Sequence, residues 1–339
     1  MKIRLPLCEK PPMVANQFFA LPLSIIFTQP QQYEDWFYNE FTQLYALIAP
    51  PSNEMQIKLY SALNDGLFAP LDSIQIPYTS FHLGEDIAQF YRMLLKNGYY
   101  IRTFCNTKHL TALHMKNDFF HDFMIFGFDD TTGLFDIRTY VDGHLRDIQA
   151  SFEEINQGHL NTSPSDGVNQ FITTYRLNNL HNESVLDCFS WRLMDYLGGI
   201  NPAHREQMIN YGFDPCYWGM RIYDLFEYFF ELCSEGKAYI NQNSWYTLYE
   251  HKEHIRQQCW HFSKKGLIRY SDTLDQEMNE ICDTALRCIS IRMKAELQKG
   301  YRIEKEMLSL QRHLRLLKEQ ELDTYNKLCR LNGWYVERS

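Results

Sequence analysis

Apolar positions in the first half of the chain alternate between two periods. Over residues 35–48 (DWFYNEFTQLYALI) they recur at helical spacing, which predicts a helix stopped by Pro50-Pro51. Residues 86–96 (DIAQFYRMLLK) predict a second amphipathic helix, ended by Asn97-Gly98. Residues 99–104 (YYIRTF) then alternate as a half-buried strand. Residues 119–128 (FFHDFMIFGF) form a near-continuous apolar run, and residues 134–141 (LFDIRTYV) follow it across Asp129-Asp130-Thr131-Thr132-Gly133. Two such runs around a glycine-bearing turn predict a hairpin in the middle of a sheet. A short helix is expected to begin at Phe152 after Ser151, with Glu153 and Glu154 near its positive end.

Residues 158–169 (GHLNTSPSDGVN) are rich in Gly, Asn, Ser and Pro, and mark a boundary or a large loop. The domains expected on that basis are 1–165 and 166–339, with the strand-like 171–177 (FITTYRL) able to belong to the first sheet. From Ser184 onward the pattern is helical. Residues 185–196, 217–232 and 243–262 are amphipathic, and 273–331 holds no proline and one glycine, Gly300. Two long helices broken near Gly300 and lying antiparallel are the natural reading. The fold class expected is α+β, with a central antiparallel sheet in the N-terminal domain and a mostly α-helical C-terminal domain.

Composition narrows the function classes. Charged residues are 22% and hydrophobic residues 45%, the balance of a folded globular chain. A net charge of −9 leaves no excess of Lys and Arg to neutralise phosphates, so a general nucleic-acid binder is not expected. No apolar run reaches eighteen residues, and the charged start, broken by Pro11-Pro12, lacks a secretory block, so a cytoplasmic location off the membrane is expected. The nine cysteines are scattered and include no CxxC pair, which suggests neither a zinc site nor a disulfide framework.

The hairpin carries the chemistry. His121 lies on its first strand, and Asp136 lies fifteen residues later on the second. Side by side across the strands, Asp136 would fix the imidazole tautomer while the other ring nitrogen faces a nucleophile. The bland alternative is an ordinary strand histidine and a solvated carboxylate. His121, an apolar strand, Gly127-Phe128-Asp129-Asp130 and then an acid resemble the C39-like branch of papain-type cysteine peptidases. Tyr211-Gly212-Phe213, the aromatic stretch after it, and Leu248-Tyr249-Glu250-His251-Lys252 before a long helical tail are similar to the butirosin biosynthesis protein H family.

That resemblance implies a papain-like N-terminal domain and a nucleophilic cysteine at the start of an N-terminal helix. It also implies amide formation from an acyl group on a carrier protein's phosphopantetheine arm and a small amine, in natural-product biosynthesis, with no cofactor. With water as acceptor the same site would be a thioesterase or peptidase. The position that matches the family cysteine is Ala15, in Met13-Val14-Ala15-Asn16-Gln17-Phe18. The chain is then either a pseudoenzyme, kept as a binding or scaffold protein of the same pathway, or carries an inactivating replacement, which retention of His121 and Asp136 favours. Cys8 is a third option, but Pro11-Pro12 after it prevent a helix from starting there. Asn16 or Gln17 could donate to an oxyanion with the residue 15 N–H, or serve as a helix cap. Pro22 implies a kinked or short helix.

Weaker signals remain. His251, His254 and His261 share a helical segment, but without HExxH or a third ligand no metal is expected and a solvated or packed face is the simpler reading. Lys264, Lys265 and Arg269, and Lys294, Lys299, Arg302 and Lys305, form basic patches. They are ordinary surface charge or a landing site for an acidic carrier protein.

Overall fold

The computed structural model describes residues 1–49, 53–61, 67–80, 86–162, 171–179, 185–202, 217–234, 237–297 and 302–334. The chain is α+β and divides into two units. The first joins residues 1–33 to 64–181, and the second joins 34–63 to 182–339. The expected division near residue 165 is corrected in two ways. Residues 34–63 leave the N-terminal half to join the C-terminal helices, and residues 166–181 stay with the first unit. No described helix is long and apolar enough to cross a membrane.

In the first unit the strands are β1 (Lys2–Arg4), with β2 (Leu44–Ala49) and β3 (Glu54–Leu59) reserved for the second unit, then β4 (Leu71–Pro77), β5 (Tyr100–Asn106), β6 (Phe120–Asp129), β7 (Leu134–Val141), β8 (His144–Ser151) and β9 (Phe171–Leu177). The seven strands outside β2 and β3 form one antiparallel sheet in the order β4-β9-β5-β6-β7-β8, with β1 on β6. Along one edge of β6, β5 covers residues 120–125 and β1 covers 127–129. Gly127 makes the second contact possible. A Cβ there would lie 2.8 Å from both Ile3 O and Asp136 Oδ2, so only glycine lets β1 approach.

Helices clothe this sheet. α1 (Gln17–Ile26) is capped by Asn16, and its residues 19–26 are buried. Pro22 lies inside it, giving up the N–H that would otherwise bond Phe18 O, yet the helix runs ten residues. α2 (Pro30–Asn39) contains the boundary between the units. α3 (Ile87–Lys96) starts at the Asp86 cap, and α4 (Phe152–Leu160) starts at a reciprocal Ser151–Glu154 capping box. Ile87, Tyr91 and Leu95 of α3 and Ile155 of α4 pack with Ile101, Cys105, Phe123, Ile125, Phe135 and Ile137 in one core.

Among the described residues the second unit has a small sheet, β10 (Tyr217–Trp218)-β2-β3-β11 (Tyr239–Ile240), and five long helices. These are α5 (Leu186–Gly198), α6 (Ile222–Ser234), α7 (Gln242–Lys264), α8 (Asp272–Leu297) and α9 (Arg302–Leu331). α8 and α9 pack along each other. Thr324 and Lys327 near the end of α9 bond Glu277 near the start of α8, at 3.3 and 3.0 Å, so the pair is antiparallel as expected. The helix expected over 35–48 is corrected. It ends at Asn39, Phe41 adopts a left-handed φ of 62°, and residues 44–49 pair with β3 instead. An apolar run such as LYALI satisfies either period, and tertiary pairing decided it.

Candidate functional site

α1 delivers its first residues onto one face of the large sheet. Asn16 closes the helix with its Oδ1, which accepts from Phe18 N at 2.8 Å, so this residue is a cap. Ala15, half-buried, immediately precedes it. Tyr140 on β7 donates its hydroxyl to Val14 O and so fixes the approach to the helix. Gln17 does not point at open space. Its side-chain amide donates to Asp122 Oδ1 on β6.

Asp122 is the charged centre of this region. It is fully buried, and Arg102 Nε on β5 reaches its other oxygen at 2.6 Å with a guanidinium only 3% exposed. The guanidinium lies 4.0 Å from the centroid of the Phe18 ring, a cation–π contact with the first turn of α1. Burial works against the Arg102 charge, but Asp122 and then Tyr175 more than offset it and push the guanidinium above its usual range. Gln17, Phe18, Arg102 and Asp122 thus form a closed cluster between helix and sheet.

The expected catalytic pair does not assemble. Asp136 stands opposite Gly127, six residues along β6 from His121, which is about 20 Å at strand rise. Its Oδ1 accepts from Gln149 Nε2 at 3.1 Å, and its Oδ2 lies 4.0 Å from Arg4 Nε. Asp136 therefore ties β8 and the N-terminal strand to β7. His121 is opposite Cys105 in register, and its Nδ1 lies 4.0 Å from Asp122 Oδ1, the oxygen that Gln17 of α1 bonds. Its Nδ1 donates to Asp122 O at 2.9 Å, and its ring stacks on Phe119 with centroids 5.2 Å apart. A main-chain carbonyl, not a carboxylate, fixes its tautomer.

Cys8, the third option for a nucleophile, lies apart from the start of α1. Its N–H donates to Ser24 O at 2.8 Å, beside the far half of α1 and about 12 Å of helix rise from Asn16. Cys105, next to His121 in register, is fully buried, and burial pushes its thiol far above the usual range. His159 on α4 is half-buried, 3.0 Å from the Tyr91 hydroxyl, and burial lowers it to about 3.

In the second unit the Glu250-His251-Lys252 segment lies in α7. Lys252 Nζ is completely buried, 3.0 Å from Glu321 and 2.6 Å from the Tyr196 hydroxyl, and Tyr223 also donates to Glu321. Burial pulls the Lys252 ammonium down, while Glu321 works the other way. Donor atoms of Glu34, Asp35 and His261 lie within 4.8 Å of one another, the one potential metal group among the described residues. Asp35 already receives His261 Nε2 at 2.7 Å and an ion pair from Lys265, so an ammonium sits where a cation would go. Of the basic patches, Lys264 lies 4.9 Å from the Trp260 ring centroid, and Arg302 and Lys305 open α9. Lys299 and Tyr211-Gly212-Phe213 fall outside the described residues.

Sequence reasoning missed Asp122 and Arg102. The signal was present: each is a single charge inside an otherwise apolar strand run, which is the mark of a buried pair. Compared with known proteins, the chain matches no family model and no curated protein.

Proposed function

We propose that the chain is a non-catalytic binding protein on a papain-like plan, which recognises an acyl or peptidyl group on a carrier protein's phosphopantetheine arm without forming a covalent intermediate. One observation carries this reading: the Gln17 amide, the donor best placed beside residue 15, is already engaged by the buried Asp122 carboxylate. An internal anion takes the place of a developing oxyanion, and Ala15 supplies no nucleophile. The carrier-bound ligand and the papain-like plan rest on the resemblance carried by the His121–Asp130 stretch and Glu250-His251-Lys252.

The second reading is an amide-forming acyltransferase with a cysteine acyl-enzyme at position 15, or a thioesterase or peptidase when water is the acceptor. It is favoured by the position of residue 15 directly before the Asn16 cap, where a helix N-terminus lowers a thiol's pKa.

Both readings are tested by mixing the full chain, and its Ala15→Cys variant, with acyl-pantetheine thioesters and an acylated carrier protein, then measuring binding and intact mass. The binding reading expects saturable binding by the native chain, no adduct, and only slow acylation of Ala15→Cys. A rapid Ala15→Cys adduct that disappears in Ala15→Cys/His121→Ala would favour the acyltransferase. Failure of the native chain to bind either ligand would end the binding reading.

A further inference from the structure

We propose that α7 latches the segment Tyr38–Thr42 through its histidines, and that acid opens this latch before the rest of the second unit loosens. His251, His254, Gln258 and His261 recur at i, i+3, i+7 and i+10, one face of the helix. All four engage the end of α2 and the segment that follows it. His251 Nε2 donates to Thr42 O at 2.8 Å, and His254 Nε2 donates to Glu40 O at 2.9 Å. The Gln258 amide lies 3.0 Å from Tyr38 O and Glu40 O and 2.9 Å from Thr42 Oγ1. His261 Nε2 donates to Asp35 Oδ1 at 2.7 Å. Phe41, inside the segment, holds a left-handed φ of 62°, a conformation unfavourable for a residue with a Cβ. This segment is therefore held from outside.

The second nitrogen of each buried ring makes the latch sensitive to protons. His251 Nδ1 lies 3.1 Å from Lys252 Nζ, so a proton added there would meet an ammonium. Glu321 on α9 faces that ammonium and also takes the hydroxyls of Tyr196 on α5 and Tyr223 on α6. His254 Nδ1 is buried without a hydrogen-bond partner, and its ring is enclosed by Phe37, Tyr38 and Phe41 at centroid distances of 4.6, 6.0 and 5.9 Å. The titratable groups beside it are His251 on α7 and Glu40, whose carbonyl it bonds and whose carboxylate pairs with Arg192 of α5 at 3.4 Å. His261 is also lowered by burial, but unlike the other two it has carboxylates beside it, Asp35 and Glu34 on α2, that work the other way, while Lys265 adds to the lowering.

Burial lowers His254 to about 4, and burial together with Lys252 takes His251 well below its ordinary value of 6.5. An opened segment would release both rings to protonate near 6.5. Latch stability is thus complete above about pH 6.5 and declines as the pH falls toward 4.

The test is hydrogen exchange of the full chain at pH 7, 5.5 and 4.5, corrected for the intrinsic pH dependence. Peptides over residues 36–45 should exchange at least tenfold faster at pH 4.5 than at pH 7, while peptides from α8 keep their protection. A His251→Gln/His254→Gln variant, which keeps amide donors that do not titrate, should suppress the effect. Simultaneous loss of protection in 36–45 and α8 would overturn the proposal, as would an unchanged response in the variant. If the variant does not fold, proton titration of the native histidines decides. Rings assigned to His251 and His254 that titrate below about pH 5 support the latch, and those two rings titrating near 6.5 overturn it.

Discussion

The two units treat buried charge differently. The first keeps its large core apolar and sets its buried charges on the sheet strands, the deepest being Arg102 and Asp122 where they meet the first turn of α1. The second places charge at its centre, where α5, α6, α7 and α9 contribute Tyr196, Tyr223, Lys252 and Glu321 to one dry network. A sheet with one apolar face gets its specificity from register, whereas helices can slide, and a buried ion pair fixes how they meet. The comparison locates where each unit should fail.

The largest effect is expected at the centre of the second unit. Lys252→Met leaves Glu321 buried and unpaired, and should cost about 3–5 kcal/mol in urea unfolding of the helical unit. Lys252→Met/Glu321→Leu should recover most of that loss, because two apolar groups replace two charges. If the double variant is as unstable as the single one, the network is not an exchangeable pair. Next comes Asp122→Ala, which strands the Arg102 guanidinium and frees Gln17. It should destabilise the sheet unit by about 3 kcal/mol, read from the near-ultraviolet transition of its aromatic core.

Acid should then distinguish the units. His254 shifts from 6.5 to about 4, which corresponds to roughly 3 kcal/mol, and His251 shifts in the same sense, whereas the described part of the sheet unit offers one ring lowered by burial, His159. Each ring stabilises the fold fully above about pH 6.5, and that contribution is lost as the pH falls toward the ring's own folded value. The helical unit should therefore lose its melting temperature faster between pH 6.5 and 4.5, measured by calorimetry. Smallest is Asp136→Asn. It keeps the hydrogen bond from Gln149 and loses only a long contact to the exposed Arg4, so its cost should stay below about 1 kcal/mol and ligand binding should not change. A large loss of binding in this variant would return Asp136 to the functional site.

Much of the fold was legible because its signals were local. The starts of α3 and α4, the hairpin strands, the strand at 171–177 and the antiparallel pair α8–α9 all follow from nearby residues. The small sheet was not legible. Its outer strands β10 and β11 are two residues each and lie far along the chain from β2 and β3, so no local period announces them. The site reading failed on register. His121 and Asp136 face each other only if the chain reverses around Phe128, but Asp129 still pairs with Leu134, so the turn comes later and moves Asp136 down to Gly127. The histidines of α7 were legible as a stripe, while their backbone partners at 40 and 42, more than 200 residues away, were not.

The place of β9 governs how this protein can be divided. It is the penultimate strand of its sheet, bonded on one side to β5 and on the other to β4, and it is the last to be synthesised. A fragment cut at residue 165 would leave β4 with no neighbour and β5 with an open flank, a ready template for aggregation. A nascent chain meets the same condition until residue 177 has emerged, so the sheet cannot close early in translation.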